Sequence, residues 1–265
     1  MAGVTTNAVA LVALLSILVT SAHSSAIYST SWQLAKSTWY GKANGAGPSN
    51  NGGACNFKNN NLAPFYSMNG CGNQPIFKDG AGCGTCYQIR CNKDCHPECS
   101  NVAKTIVITD INEETLPGSN YRFDLSGTAF GSMAKPGRND QLRKAGKISI
   151  QFRRVPCNWP NVKITFYILK GANPYYLPVM PMNVNRDGAV VEMDIMRSKN
   201  GVATKIWEPM YRSFGAVWRR DSGNPLKGPL SFRITNESGK RLIATNVITA
   251  NWEGGCSYTS KVQFT

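Results

Sequence analysis

Apolar and polar side chains alternate along this chain over short stretches and mostly with a period of two, the pattern of strands that bury one face. Residues 147–155 set Ile148, Ile150 and Phe152 against Ser149 and Gln151, and residues 190–195 set Val191, Met193 and Ile195 against Glu192 and Asp194. Strands are likewise predicted over 87–90, 104–110, 162–169, 217–219, 230–235, 242–248 and 261–264, with a short aromatic one around Trp39 and Tyr40. Leu125, Ala129, Phe130 and Met133 recur at helical spacing, so one short helix is predicted there, weakened by Gly127 and Gly131. Asp187-Gly188, Asn200-Gly201 and Ser238-Gly239 punctuate the C-terminal strands, as in an all-β sandwich of about 100 residues.

The periodicity breaks at Pro156-Cys157-Asn158-Trp159-Pro160 and then resumes, which places a domain boundary between 157 and 163. The chain of 265 residues is long enough for two cores, one over 27–158 and one over 163–265. Residues 8–19 are almost wholly apolar, small residues follow at Ala22, Ser24 and Ala26, and the first basic side chain is Lys36. This predicts a signal peptide over 1–25, cleaved near 24–26, and therefore a secreted protein. The apolar run falls short of the about 20 residues that a membrane span needs, so no integral membrane contact is expected.

Secretion changes the reading of the nine cysteines, because an oxidising compartment favours disulfides over thiolate ligands to zinc. Seven of them fall between Cys55 and Cys99, which predicts a stapled, loop-rich first half; the odd total leaves at least one thiol unpaired. No metal and no cofactor is expected. His23 leaves with the signal, so His96 is the one ring available to a nucleophilic triad, and it sits in a cysteine-crowded loop. The formal charge is +14, divided evenly as 15 − 8 = +7 up to residue 161 and 14 − 7 = +7 beyond it. Such a surface suits acidic polysaccharides, with affinity that falls as salt rises; secretion and the lack of a concentrated basic run exclude nucleic acid.

Carboxylates are the remaining candidates for chemistry. Asp124 stands just before the predicted helix, and Asp110 closes the apolar stretch of residues 105–109, where a buried strand hands its last residue to a cleft. A pair of carboxylates is what glycoside cleavage requires. Trp39 and Tyr40, beside a loop rich in Gly and Asn, are placed to stack on sugar rings, although neighbours on a strand face opposite sides. Asn236-Glu237-Ser238 is an N-glycosylation acceptor pattern, expected on a surface turn.

Several segments together resemble the β-expansins, the plant wall-loosening family that includes the group 1 grass-pollen allergens. They are Thr38-Trp39-Tyr40-Gly41, Asn51-Gly52-Gly53-Ala54-Cys55, the run from Gly82 to Cys91, Ile108-Thr109-Asp110-Ile111-Asn112, the run from Phe123 to Gly137, Gln151-Phe152-Arg153-Arg154 and Gly171-Ala172-Asn173-Pro174. The resemblance runs from about residue 30 to the C-terminus. It implies a mainly β protein: a six-stranded double-psi β-barrel, similar to the catalytic domain of family-45 glycoside hydrolases, followed by an immunoglobulin-like β-sandwich that binds polysaccharide. It further implies that Thr38, Tyr40, Asp110 and Asp124 line the groove of the first domain, with Asp124 at the position of the hydrolase's general acid, and that Tyr176 and Phe214 stack on sugars in the second. Implied disulfides are Cys55 with Cys83, Cys86 with Cys157, and Cys91 with Cys99 or Cys95; Cys71 is expected unpaired and Cys256 has no family partner.

Three departures from the family pattern matter. Arg122 stands where the family usually has His; aimed at the groove, a guanidinium would favour ionised Asp124 and work against a general acid. Asn50 stands where pollen-type relatives carry Asp, and Phe214 where relatives usually carry Trp. The hydrolases' base position on the first strand corresponds to Gly41. The expected function is therefore a monomeric, non-hydrolytic wall-loosening protein that binds cellulose, xylan or acidic matrix glycans along a groove spanning both domains. The alternatives are an endo-acting glycoside hydrolase using Asp124 and Asp110, and a binding module without loosening activity.

Overall fold

The computed structural model describes residues 27–47, 53–114 and 118–265. The predicted signal peptide and Asn50 lie outside the described residues. Six strands make a closed barrel: β1 (Gln33–Tyr40), β2 (Asn69–Gly72), β3 (Cys86–Arg90), β4 (Lys104–Ile111), β5 (Arg122–Ser126) and β6 (Ile148–Val155), in the order β1-β5-β2-β4-β3-β6. Three short helices lie between them: α1 (Gln74–Phe77), α2 (Gly127–Gly131) and α3 (Asn139–Lys144). The barrel buries Ile89, Ile106, Ile108, Phe123, Leu125, Phe130 and Ile150, and Phe123 packs edge-on against Tyr87 and Phe152. Each side chain of this size contributes about 1.5–3 kcal/mol when fully buried.

The helix predicted around residue 125 begins later than its spacing indicates. Arg122-Phe123-Asp124-Leu125-Ser126 is a strand that buries Phe123 and Leu125 and pairs with β1 on one side and β2 on the other. Helical residues start at Gly127, where Ser126 Oγ accepts a hydrogen bond from Ala129 N at 3.0 Å and caps the turn. Strand pairing on both sides outweighs a local helical preference carried by only four apolar positions and two glycines.

The second half holds β7 (Thr165–Ile168), β8 (Tyr176–Met182), β9 (Val190–Met196), β10 (Ser198–Lys199), β11 (Val202–Ala203), β12 (Glu208–Pro209), β13 (Tyr211–Phe214), β14 (Val217–Asp221), β15 (Leu230–Asn236), β16 (Arg241–Ile248) and β17 (Ser257–Thr259). A four-stranded sheet, β12-β9-β15-β16, and a five-stranded sheet, β13-β14-β8-β7-β17, enclose a core in which Phe166 stacks on Phe232 at 4.8 Å. The strand predicted at 261–264 is not formed. Its backbone runs past the sheet while the Gln263 side chain donates to Val162 O and Asn183 O and Phe264 is buried, so the last strand is β17.

Disulfides join Cys55 to Cys83, Cys86 to Cys157 and Cys91 to Cys99; Cys71, Cys95 and Cys256 are free. Native disulfides of this kind contribute about 2–4 kcal/mol each. Cys86–Cys157 fastens the barrel to the segment that leaves it, and Cys157 exchanges two backbone hydrogen bonds with Arg186 of the second half. Nearby, Asp187 is fully buried; it accepts from Tyr28 Oη and from Ser238 N, and Arg154 bridges Asp187 O at 2.7 Å and Glu237 Oε2 at 3.0 Å. The two halves are thus packed through a hydrogen-bonded seam.

Candidate functional site

Strand register assembles the site. Thr38 of β1 pairs with Asp124 of β5, Asp124 pairs with Cys71 of β2, and Cys71 pairs with Asp110 of β4. The four residues form one row across four neighbouring strands, and strand spacing sets the two carboxylate-bearing backbones about 10 Å apart. Cys71, the buried member of the row, was not among the site residues expected from sequence. Its only signal there was an isolated cysteine between two glycines.

Asp124 is half-buried, and its Oδ1 accepts from Thr38 Oγ1 at 2.5 Å. Arg122 lies two residues earlier on the same strand, hence on the same side. Its Nη2 is 3.4 Å from Thr38 Oγ1 and 2.8 Å from Glu114 Oε2, and the side chain is almost wholly buried. Burial raises the Asp124 pKa; the Thr38 hydroxyl and the Arg122 guanidinium pull it down without cancelling that rise. Arg122 thus favours ionised Asp124, as expected of a guanidinium aimed at the groove, while burial sets the net direction.

Asp110 has a different task. Its Oδ1 accepts from Ala54 N at 2.6 Å and from Ile111 N at 2.8 Å, so the carboxylate anchors the loop that carries Cys55. Oδ1 is thereby committed to the backbone, which fixes the orientation of the carboxylate. Gly41 has φ +76°, and a Cβ there would lie 3.1 Å from Gly47 Cα. Any side chain at that position would be strained in both backbone and space.

The two aromatics of β1 part company. Trp39 packs against the barrel core and donates through Nε1 to Arg143 O at 3.0 Å. Tyr40 lies under Gly47, with its hydroxyl accepting from Asn69 Nδ2 at 3.0 Å; burial first, and then its acidic neighbours Cys71, Asp110 and Asp124, push its pKa upward. Both residues are partly buried, Trp39 against the core and Tyr40 beneath Gly47, so each offers at most part of its ring to the groove.

The exposed aromatics are on the second half. Leu177, Val179 and Trp218 point into the sandwich, so Tyr176, paired with Asp221, and Phe214, paired with Val217, share the opposite face of the five-stranded sheet. Tyr211, paired with Arg219, joins them because a bulge between Arg212 and Phe214 shifts the register. In a regular strand, residues three apart would face opposite sides, so sequence reasoning missed Tyr211, which is 59% exposed beside Phe214 at 47% and Tyr176 at 37%. Gly215, at φ +47°, brings the β13–β14 hairpin against the barrel: a Cβ there would fall 2.0 Å from Ala54 O. Asp110, Ala54, Gly215 and Phe214 thus follow one another across the junction.

Asn236 is not a surface residue. It is 1% exposed, its Oδ1 accepts from Lys240 N at 2.8 Å, and its Nδ2, the atom that would carry a glycan, is buried without a partner. The turn after it packs on the domain seam through Glu237 and Ser238, which a sequon pattern does not reveal.

A family model described as Expansin C-terminal domain matches residues 164–249, and one described as Lytic transglycolase matches residues 69–152. The chain is similar to Expansin-B6 of Oryza sativa subsp. japonica, 56% identical over 239 residues covering 89% of this chain and 86% of that protein. It is similar to Expansin-B2 of the same organism, 52% identical over the whole of both chains, and to Expansin-B1 of Zea mays, 52% identical over 89% of this chain and 86% of that one. Among solved structures, an expansin of Clavibacter michiganensis superposes with a TM-score of 0.67 at 17% identity, covering 89% of this chain and 98% of that one. A variant of that bacterial protein, with a TM-score of 0.66, was solved in complex with cellohexaose.

Proposed function

The chain belongs to the β-expansin family, and from that premise we propose that it loosens the cell wall by gripping a glycan chain along one continuous path. The path starts at the Thr38–Asp124–Asp110 row, crosses the junction at Ala54 and Gly215, and runs onto Phe214, Tyr211 and Tyr176. It is a polysaccharide-binding, non-hydrolytic protein of the wall. Within this proposal the barrel domain spans 27–158 and the sandwich domain 163–265, cellulose and xylan are the glycans, the protein acts as a monomer, and it reaches the wall by secretion after cleavage near residues 24–26.

One observation carries the mechanism: Asp124 is half-buried and oriented by Thr38, whereas Asp110 is held through Oδ1 by the Ala54 and Ile111 amides and Gly41 stands at the position where the resemblance places a base. An inverting glycosidase needs both an acid and a base. Asp124, oriented by Thr38, instead serves as a polar grip for sugar hydroxyls, and the aromatics supply stacking area. The test measures wall extension under constant load together with reducing-end release from soluble glucan and xylan, for wild type and Asp124→Asn. Extension without new reducing ends, lost in the variant, is expected; reducing ends that Asp124→Asn abolishes would establish a hydrolase. Retention on insoluble cellulose and xylan, unchanged in Phe214→Ala, Tyr211→Ala and Tyr176→Ala alike, would remove the aromatic half of the path.

A further inference from the structure

The outer wall of the barrel over β1, β6 and β3 carries a second ordered surface. Register places Leu34, Gln151 and Arg90 in one row across these strands, Gln88 beside Arg153 in the next, and Lys36 beside Ser149. Gln88 Oε1 accepts from Arg153 Nε at 2.8 Å and Nη2 at 2.7 Å, and Gln151 Oε1 accepts from Arg90 Nε at 2.9 Å. Lys36 Nζ donates to Ser149 Oγ at 2.7 Å, and Arg153 Nη1 to Thr30 O at 3.3 Å. The Trp32 ring lies under both guanidinium groups, 4.0 Å from Arg90 and 4.7 Å from Arg153.

Two features set this face apart from an ordinary basic surface. The three cations are held by neutral acceptors, and none of them is in an ion pair among the described residues, whereas most other buried or half-buried arginines here have a carboxylate. The strands β1, β3 and β6 contain no Asp or Glu at all. Among the described residues their charge is therefore uncompensated but fixed in direction, and both Nη groups of Arg90 have no partner. Guanidinium groups already oriented by amides and an aromatic ring lose little further freedom when a carboxylate binds in the bidentate manner.

We propose that this face binds a linear carboxylated polysaccharide, a polyuronate, independently of the groove. It shares only β1 with the Thr38–Asp124–Asp110 row, and it recognises carboxylates where the groove offers them itself. Leu34, 70% exposed in the same row as Arg90, gives the apolar edge of a sugar ring somewhere to rest. Lys36 and Thr38 face the same side of β1, so two adjoining surfaces of opposite preference allow the protein to hold a charged matrix chain beside a neutral glycan.

The test is retention of the full-length mature protein on polygalacturonate, de-esterified or fully methyl-esterified, at low and high salt. In Gln88→Glu/Gln151→Glu a carboxylate replaces each amide oxygen that already accepts from a guanidinium, so the hydrogen bonds stay and the charge is cancelled. Lys199→Gln/Lys205→Gln, on exposed positions of the other domain, lowers the net charge by the same two units. The wild type is expected to prefer the de-esterified polymer, with retention that salt weakens. The glutamate pair is expected to bind it at least about tenfold more weakly, the effect of losing one charge-assisted hydrogen bond. Arg90→Gln/Arg153→Gln should do the same, and cellulose retention should not change in any of them. Failure of the wild type to bind, equal binding of the methyl ester, full binding by the glutamate pair, or equal losses in the glutamate and lysine pairs would each overturn the proposal. Loss of cellulose retention in the aromatic variants, with polyuronate retention intact, bears on the groove alone.

Discussion

Thr38→Val isolates the hydrogen bond that orients Asp124. The substitution keeps the side chain's shape, removes the donor 2.5 Å from Asp124 Oδ1 and removes the acceptor 3.4 Å from Arg122 Nη2. A hydrogen bond to a charged group contributes about 1.5–3 kcal/mol, and partial solvent access at Asp124 reduces this to about 1–2 kcal/mol. The pH dependence gives the sharper test. The folded-state pKa of Asp124 lies above the ordinary value of 3.8, so its ionisation costs stability: nothing below 3.8, where folded and unfolded chains are both protonated, and the full cost above the folded value. Thr38 offsets part of that cost because it bonds the ionised form. Urea denaturation of wild type, Thr38→Val and Thr38→Ser should therefore show the valine variant losing about 1–2 kcal/mol at pH 7 and less at pH 3, where only a neutral bond of about 0.5–1.5 kcal/mol is at stake. The serine variant, which keeps the hydroxyl, should lose the same small amount at both. An equal loss for valine at pH 7 and pH 3 would mean that the hydroxyl does not act on the carboxylate.

Other consequences follow from the same geometry. Asp110→Ala strands the Ala54 and Ile111 amides and should cost about 2–3 kcal/mol in denaturation, with Asp110→Asn, which keeps an acceptor oxygen, costing less than half as much; equal losses would refute the anchoring role. In native protein at neutral pH iodoacetamide should alkylate exposed Cys256 and spare Cys71, whose thiol pKa burial pushes up, until denaturant is added; mass spectrometry of tryptic peptides reads the outcome, and rapid native labelling of Cys71 would contradict its placement. The mature protein should carry no glycan at Asn236, so enzymatic deglycosylation should leave the mass of that peptide unchanged; a shift would show that the seam can open around it.

Sequence alone determined the parts of this protein that rest on local pattern. Period-two alternation in Ile148-Ser149-Ile150-Gln151-Phe152 and Val191-Glu192-Met193-Asp194-Ile195 announces half-buried strands whatever their partners, because alternate side chains face opposite sides of any strand. Motifs such as Phe123-Asp124-Leu125-Ser126-Gly127 likewise pointed to the family and to Asp124. What the sequence could not supply were quantities set by neighbours distant in the chain. The net pKa direction of Asp124 depends on how much burial opposes Arg122, and the task of Asp110 depends on where residues 54 and 111 bring their amides. Tyr211 joins Phe214 only through a one-residue bulge, and Asn236 is hidden only because Asp187 and Arg154 draw its turn onto the seam. The cationic face has the same origin: Lys36, Arg90 and Arg153 are scattered along the chain, and closure of the barrel sets them side by side with no carboxylate between them.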